Sequence, residues 1–152
     1  MFKIWKKVSV FLMMVGLIGL LFSSTSQAAS MAPAAVGDVI RISEATTELG
    51  SHSYMGDISA DGRYAVFSTS ADNVVPNDTN GIADIFLYDQ QTGAITRVSV
   101  SSNGTEADDG SGSPVMSGDG RYVVFGSDAT NLVSGDTNGQ EDIFVHDTET
   151  ST

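Results

Sequence analysis

Two loops hold the residues best suited to chemistry. Asp78-Thr79-Asn80-Gly81-Ile82-Ala83-Asp84 and Asp136-Thr137-Asn138-Gly139-Gln140-Glu141-Asp142 both read Asp-x-Asn-Gly-x-x-Asp. Alternating oxygen ligands followed by a glycine turn can wrap a hard cation, and calcium accepts side-chain and backbone oxygens together. On that reading Asp78, Asn80 and Asp84 supply side-chain oxygens and Ile82 a carbonyl. In the second loop Asp136, Asn138 and Asp142 do so, with the Gln140 carbonyl. The spacing departs from an EF-hand loop, because the fifth position is not acidic and no Glu stands at the twelfth. Asp, Asn and Gly are also ordinary turn residues, so the sequence leaves both readings open: a calcium loop or plain turn chemistry. Zinc and copper have no plausible ligand set, since the chain lacks cysteine and its two histidines, His52 and His146, are isolated.

Other reactive residue types lead away from catalysis. Asp61 and Asp119, like Arg63 and Arg121, recur at equivalent places, and a residue repeated in every unit reads as structural. Asp in an Asp-Gly turn bonds its own backbone, and the arginine can pair with a nearby acid. His146 stands where the first unit has Tyr88, which makes it a strand side chain. No Gly-x-Ser-x-Gly elbow occurs, so a non-catalytic chain is expected.

The elements that position these loops follow from a repeat. Ser59-Ala60-Asp61-Gly62-Arg63-Tyr64-Ala65-Val66-Phe67 returns as Ser117-Gly118-Asp119-Gly120-Arg121-Tyr122-Val123-Val124-Phe125, a shift of 58 from Asp61 to Asp119. The same shift carries Asn73 to Asn131, Asp84-Ile85-Phe86 to Asp142-Ile143-Phe144 and Asp89 to Asp147. A register held this long marks a repeat architecture. Each unit reads as short strands between turns, with Asp61-Gly62 and Asp119-Gly120 as hairpin signals. Strands are predicted over Tyr64–Ser68, Asp84–Asp89 and Ala94–Val100, and no helical period is convincing after residue 30. The polar run Asp108–Ser113 is expected to be a flexible connection. Val39-Ile40-Arg41-Ile42-Ser43 matches Ile95-Thr96-Arg97-Val98-Ser99 at a shift of 56. It reads as the last strand of a unit, followed by units at about 56–100 and 113–152.

The pattern Ser-x-Asp-Gly-Arg-Tyr-x-Val-Phe, then Asp-Ile-Phe-x-x-Asp, then Thr-Gly and a closing Arg-Val-Ser strand resembles the TolB-type, WD-repeat-like β-propeller blade. The likeness covers nearly all of residues 39–152, with insertions at Ala71–Ala83 and Ala129–Glu141. It implies an all-β fold of tandem four-stranded blades around a channel, and scaffolding or binding rather than a reaction type. About two blades are present, an incomplete propeller. The reading is therefore the N-terminal part of a longer propeller protein, or a chain whose copies self-associate. The alternative is the leading propeller of a prolyl-oligopeptidase-like hydrolase whose catalytic domain lies outside this chain.

Charge and composition set the setting. The chain has 152 residues and a formal net charge of −12. Lys3, Lys6 and Lys7 precede the apolar stretch Val8–Phe22, and Ser26-Gln27-Ala28 supplies small residues for a signal peptidase. Residues 1–29 therefore read as a cleavable signal peptide, cut near Ala28, and 30–38 as a flexible leading segment. The apolar stretch is short for a membrane span. The expectation is a secreted or periplasmic protein with no stable membrane anchor after cleavage. Beyond Ala29, four arginines face nineteen acidic residues. Such a surface repels phosphate backbones, so nucleic acid is excluded as a partner. The partner expected instead is a protein or extracellular ligand met through propeller loops.

Overall fold

The computed structural model describes residues 39–43 and 49–150. The signal and leading segments fall outside the described residues. Seven strands are present among the described residues: β1 (Ser53–Ile58), β2 (Tyr64–Thr69), β3 (Asp84–Asp89), β4 (Ala94–Arg97), β5 (Ser111–Met116), β6 (Tyr122–Ser127) and β7 (Asp142–Asp147). They form a four-stranded sheet in the order β1-β2-β3-β4 and a three-stranded sheet in the order β5-β6-β7. All pairings are antiparallel between neighbours in sequence. The protein is all-β in its described residues, and no helix there is long and apolar enough to cross a membrane.

The repeat in sequence is a repeat in register. Phe67 stands opposite Phe86, and Phe125 opposite Phe144. Their rings stack with centroids 5.6 and 5.9 Å apart. Aromatic cross-strand pairs of this kind hold neighbouring strands in one register. Strand alternation then sorts side chains to two faces. Val66, Ile85 and Leu87 on one face of the first sheet share an apolar cluster with Val123, Phe125 and Phe144 of the second. The other face of the first sheet carries Phe67, Phe86 and Tyr88, covered by Val74, Val75 and Ile95 and by Ile40 and Ile42.

The first strands of the two sheets meet most closely. A Cβ at Gly56 would run into the Pro114 carbonyl oxygen and ring, so glycine is what lets β1 lie against β5 here. Both strands are bulged at this level, β1 between Met55 and Asp57 and β5 between Gly112 and Val115. Asp57 Oδ2 accepts from the Met116 amide at 3.0 Å, and the Ala60 amide donates to the Gly118 carbonyl at 2.8 Å.

Three sequence expectations change. The run Asp108–Ser113 is not a loose connection along its whole length. Ser111 opens β5, is buried, and bonds the Ser127 hydroxyl at 3.0 Å, while Asp108 accepts from the Thr130 amide and hydroxyl. The third predicted strand, Ala94–Val100, ends at Arg97, because Val98 and Ser99 turn inward into the core. Val39–Ser43 joins no sheet among the described residues. It packs through Ile40 and Ile42 on the Phe67–Phe86 face.

Candidate functional site

The antiparallel meander sets the short turns, 59–63 and 90–93, at one rim of the first sheet. The long segments 70–83 and 98–110 lie at the other, and in the second sheet 117–121 and 128–141 divide in the same way.

The short-turn rim is a pair of copied clamps. Asp61 Oδ1 accepts from the Ser59 hydroxyl at 2.6 Å and the Arg63 amide at 3.0 Å, and the Ser59 hydroxyl accepts from the Tyr64 amide at 2.9 Å. Arg63 then reaches across to Asp89 at 2.9 Å, and its guanidinium lies over the Tyr64 ring at 4.6 Å. The second unit repeats each step: Asp119 caps the Arg121 amide at 3.1 Å, Arg121 meets Asp147 at 2.8 Å, and the cation lies 5.0 Å from the Tyr122 ring centre. These bonds hold the Asp61 and Asp119 carboxyls below their ordinary range, led by the serine hydroxyls. The Arg63 and Arg121 pairs do the same for Asp89 and Asp147. All four residues are committed to turn and strand geometry.

The long-loop rim holds the Asp-x-Asn-Gly-x-x-Asp segments, and it gathers Asp78, Asn80 and Asp84 as the motif suggests. What they surround is Arg97. Its Nη1 lies 3.4 Å from Asp78 Oδ1 and 3.3 Å from Asp84 Oδ2, and its Nη2 lies 3.0 Å from Glu106 Oε2. Nη2 also donates to the Asn77 carbonyl at 2.7 Å. The Arg97 side chain is only 8% exposed. Sequence reading missed both Arg97 and Glu106. Arg97 looked like part of a closing strand, and Glu106 belonged to no repeat.

Asn80 turns its amide group toward the acid. Nδ2 donates to Asp84 Oδ2 and to the Ala107 carbonyl, each at 3.1 Å, and Oδ1 accepts from the Ile82 amide at 3.1 Å. Gly81, at φ 67°, lets the chain close that turn. The other oxygen of Asp84 accepts from Ser99, whose hydroxyl also accepts from the Ile85 amide. This donor set does not fit a calcium ion at the first loop. The Asn80 oxygen is spent on the backbone, the Asp84 oxygens receive hydrogen-bond donors, and a guanidinium occupies the centre of charge. Among the described residues no group of three or more His, Cys, Asp or Glu is placed to hold a metal.

One guanidinium against three acids leaves the cluster formally short of positive charge. Both oxygens of Asp78 are buried without a hydrogen-bond partner, although the ion pair with Arg97 is close. Burial, then repulsion from Asp84, pushes the Asp78 carboxyl up to about 6, against the pull of Arg97. Burial also raises Asp84, opposed by the Ser99 hydrogen bond and by Arg97. Perturbed carboxyls of this kind mark catalytic sites or structural ion networks alike. Here the network ties three segments of the long-loop rim together.

The second loop has the same local turn. Asn138 Nδ2 donates to Asp142 Oδ2 at 2.8 Å, its Oδ1 accepts from the Gln140 amide at 2.9 Å, and Gly139 has φ 62°. Among the described residues neither Asp136 nor Asp142 has an ion pair. His52 is exposed beside the first sheet, whereas His146 is buried in β7, where burial lowers its pKa. Comparison with protein-family models gave no match, and comparison with curated proteins gave none.

Proposed function

We propose that the described residues are tandem β-propeller blades of an exported binding or scaffolding module that meets its partner through the long-loop rim. The observation that carries this reading is the way the two sheets stack. Each is an antiparallel meander, the first strands β1 and β5 touch at Gly56 and Pro114, and one apolar layer fills the space between facing sheets. Radial repetition of such sheets is how a propeller is built.

The two rims differ in what they offer. The short-turn rim spends its arginines on internal pairs with Asp89 and Asp147. The long-loop rim presents exposed Thr79, Thr137, Asn138, Gly139 and Gln140 on loops fixed at their bases. Loops positioned by a rigid sheet are the usual carriers of recognition. An acidic surface of this kind suits a cationic partner.

The test is site-specific photo-crosslinking in the expressing cell. A photoreactive residue at Thr137, on the long-loop rim, should give a discrete adduct with another protein. The same residue at Gln91, on the short-turn rim, should not. Equal adducts from both positions, or none from Thr137, would contradict the assignment of the rim.

A further inference from the structure

Three turns of this chain contain an Asn-Gly step: Asn80-Gly81, Asn103-Gly104 and Asn138-Gly139. At such a step the glycine nitrogen can attack the asparagine's own side-chain carbonyl, because glycine puts no side chain in the path. The fold treats the three carbonyls differently.

Asn103 lies in a tight turn closed by the bridge between Val100 and Glu106. Its Oδ1 accepts from three donors at once: the Ser101 hydroxyl at 2.6 Å, the Thr105 hydroxyl at 2.6 Å and the Thr105 amide at 3.0 Å. Its Nδ2 has no hydrogen-bond partner among the described residues. Residues 102–105 are exposed, and a Cβ at Gly104 would meet nothing within 4 Å. The Gly104 amide donates to the Ser101 carbonyl at 2.8 Å, and that bond must open before the nitrogen can react.

Asn80 and Asn138 are held the other way round. Asn80 is half-buried, and its Nδ2 donates to Asp84 and to the Ala107 carbonyl. Asn138 Nδ2 donates to Asp142 at 2.8 Å. The Oδ1 of each accepts from a single backbone amide, that of Ile82 or of Gln140. In both, the nitrogen that would leave is tied down, and the oxygen that would gain charge has one donor where Asn103 has three.

We propose that Asn103 is a site of spontaneous deamidation, promoted by the donors that its own turn aims at Oδ1. The Gly104 nitrogen gives its proton to solvent and bonds to Cγ of Asn103, and negative charge develops on Oδ1. Donors already placed around an oxygen that gains charge lower the barrier to acyl transfer. The intermediate collapses by breaking the bond from Cγ to Nδ2, which takes up a proton and leaves as ammonia. The five-membered succinimide is then opened by water at either carbonyl, giving aspartate or isoaspartate. No oxidant or cofactor enters. Each conversion adds a negative charge to the long-loop rim, and isoaspartate also lengthens the backbone by one carbon. The change falls three residues before Glu106, which holds Arg97 and Thr79. The inference does not depend on which rim binds a partner.

The experiment ages the purified full chain in mildly alkaline buffer and follows each Asn-Gly peptide by mass spectrometry. Isoaspartate is scored by an isoaspartate-specific methyltransferase. Asn103 should gain the mass of amide-to-acid conversion at least about tenfold faster than Asn80 or Asn138, with isoaspartate among its products. In concentrated urea the three rates should converge, because the difference belongs to the fold. Thr105→Val removes one donor and should slow conversion at Asn103 roughly tenfold, the rate cost of one hydrogen bond in the transition state. Faster conversion at Asn80 or Asn138 in the folded chain would overturn the proposal, and that arm holds even if Thr105→Val fails to fold. An undiminished rate at Asn103 in folded Thr105→Val would overturn it too. Crosslinks at Thr137 and Gln91 report on the rim separately, so the two readings fail independently.

Discussion

Replacing Asp78 with Asn should flatten the pH dependence of folding between about pH 4 and pH 7. The Asp78 carboxyl titrates at about 6 in the folded chain against an ordinary 3.8. A raised carboxyl binds its proton more tightly in the folded than in the unfolded state. Its contribution is therefore fully present below the unfolded value and is lost as pH rises through the folded one. The difference of about two pKa units corresponds to roughly 3 kcal/mol across that window. The physical source is a carboxylate whose buried oxygens lack hydrogen bonds and lie near Asp84. Urea denaturation of the unchanged chain and of Asp78→Asn, repeated from pH 4 to pH 8, reads the effect. The unchanged chain should lose stability on going from pH 4.5 to pH 7.5, and the curve for Asp78→Asn should be flatter by about 2–3 kcal/mol. The absolute stability of the variant matters less, since the new amide also needs a partner. Parallel curves would refute the reasoning and place the Asp78 carboxyl in ordinary contact with water.

Further outcomes follow from the same geometry. Arg97→Met leaves buried acids uncompensated and should cost about 3–5 kcal/mol at pH 7.5, with partial recovery at pH 5 as Asp78 protonates; a loss below about 1 kcal/mol at both pH values would contradict it. Arg63→Ala and Arg121→Ala should each move the midpoint of denaturant titration less than Gly56→Ala does, because both arginine side chains are 39% exposed and their ion pairs are screened by water; a larger shift from either would contradict it. Gly56→Ala should destabilise by about 1–3 kcal/mol through its clash with Pro114, and an unchanged melting temperature would mean that β1 and β5 are not in close contact. Calcium should raise the melting temperature no more than magnesium at equal ionic strength, since the first loop is already filled by Arg97; a calcium-selective rise abolished by Asp78→Ala would reverse that reading.

The parts of the fold legible in the sequence were those that carry their own local chemistry. The Asp-Gly turns, the β-branched and aromatic runs of β2 and β3 and the 58-residue register all appear where the pattern places them. β1 and β5 did not. Ser53–Ile58 and Ser111–Met116 contain Gly, Ser and Pro with little alternation, and they become strands because β2 and β6 supply a partner edge. The candidate site was half legible. The convergence of Asp78, Asn80 and Asp84 could be read from their spacing, but the cation between them could not, because it comes from a strand further along the chain. The scarcity of basic residues was the available signal: four arginines beyond Ala29 must each answer several acids.

Whether the two units are propeller blades is tested most directly by an experimental structure of the purified protein. The expected result is antiparallel sheets arranged radially around a channel, with β1 and β5 in contact at Gly56 and Pro114. Two sheets packed face to face as a sandwich, with no channel, would contradict it.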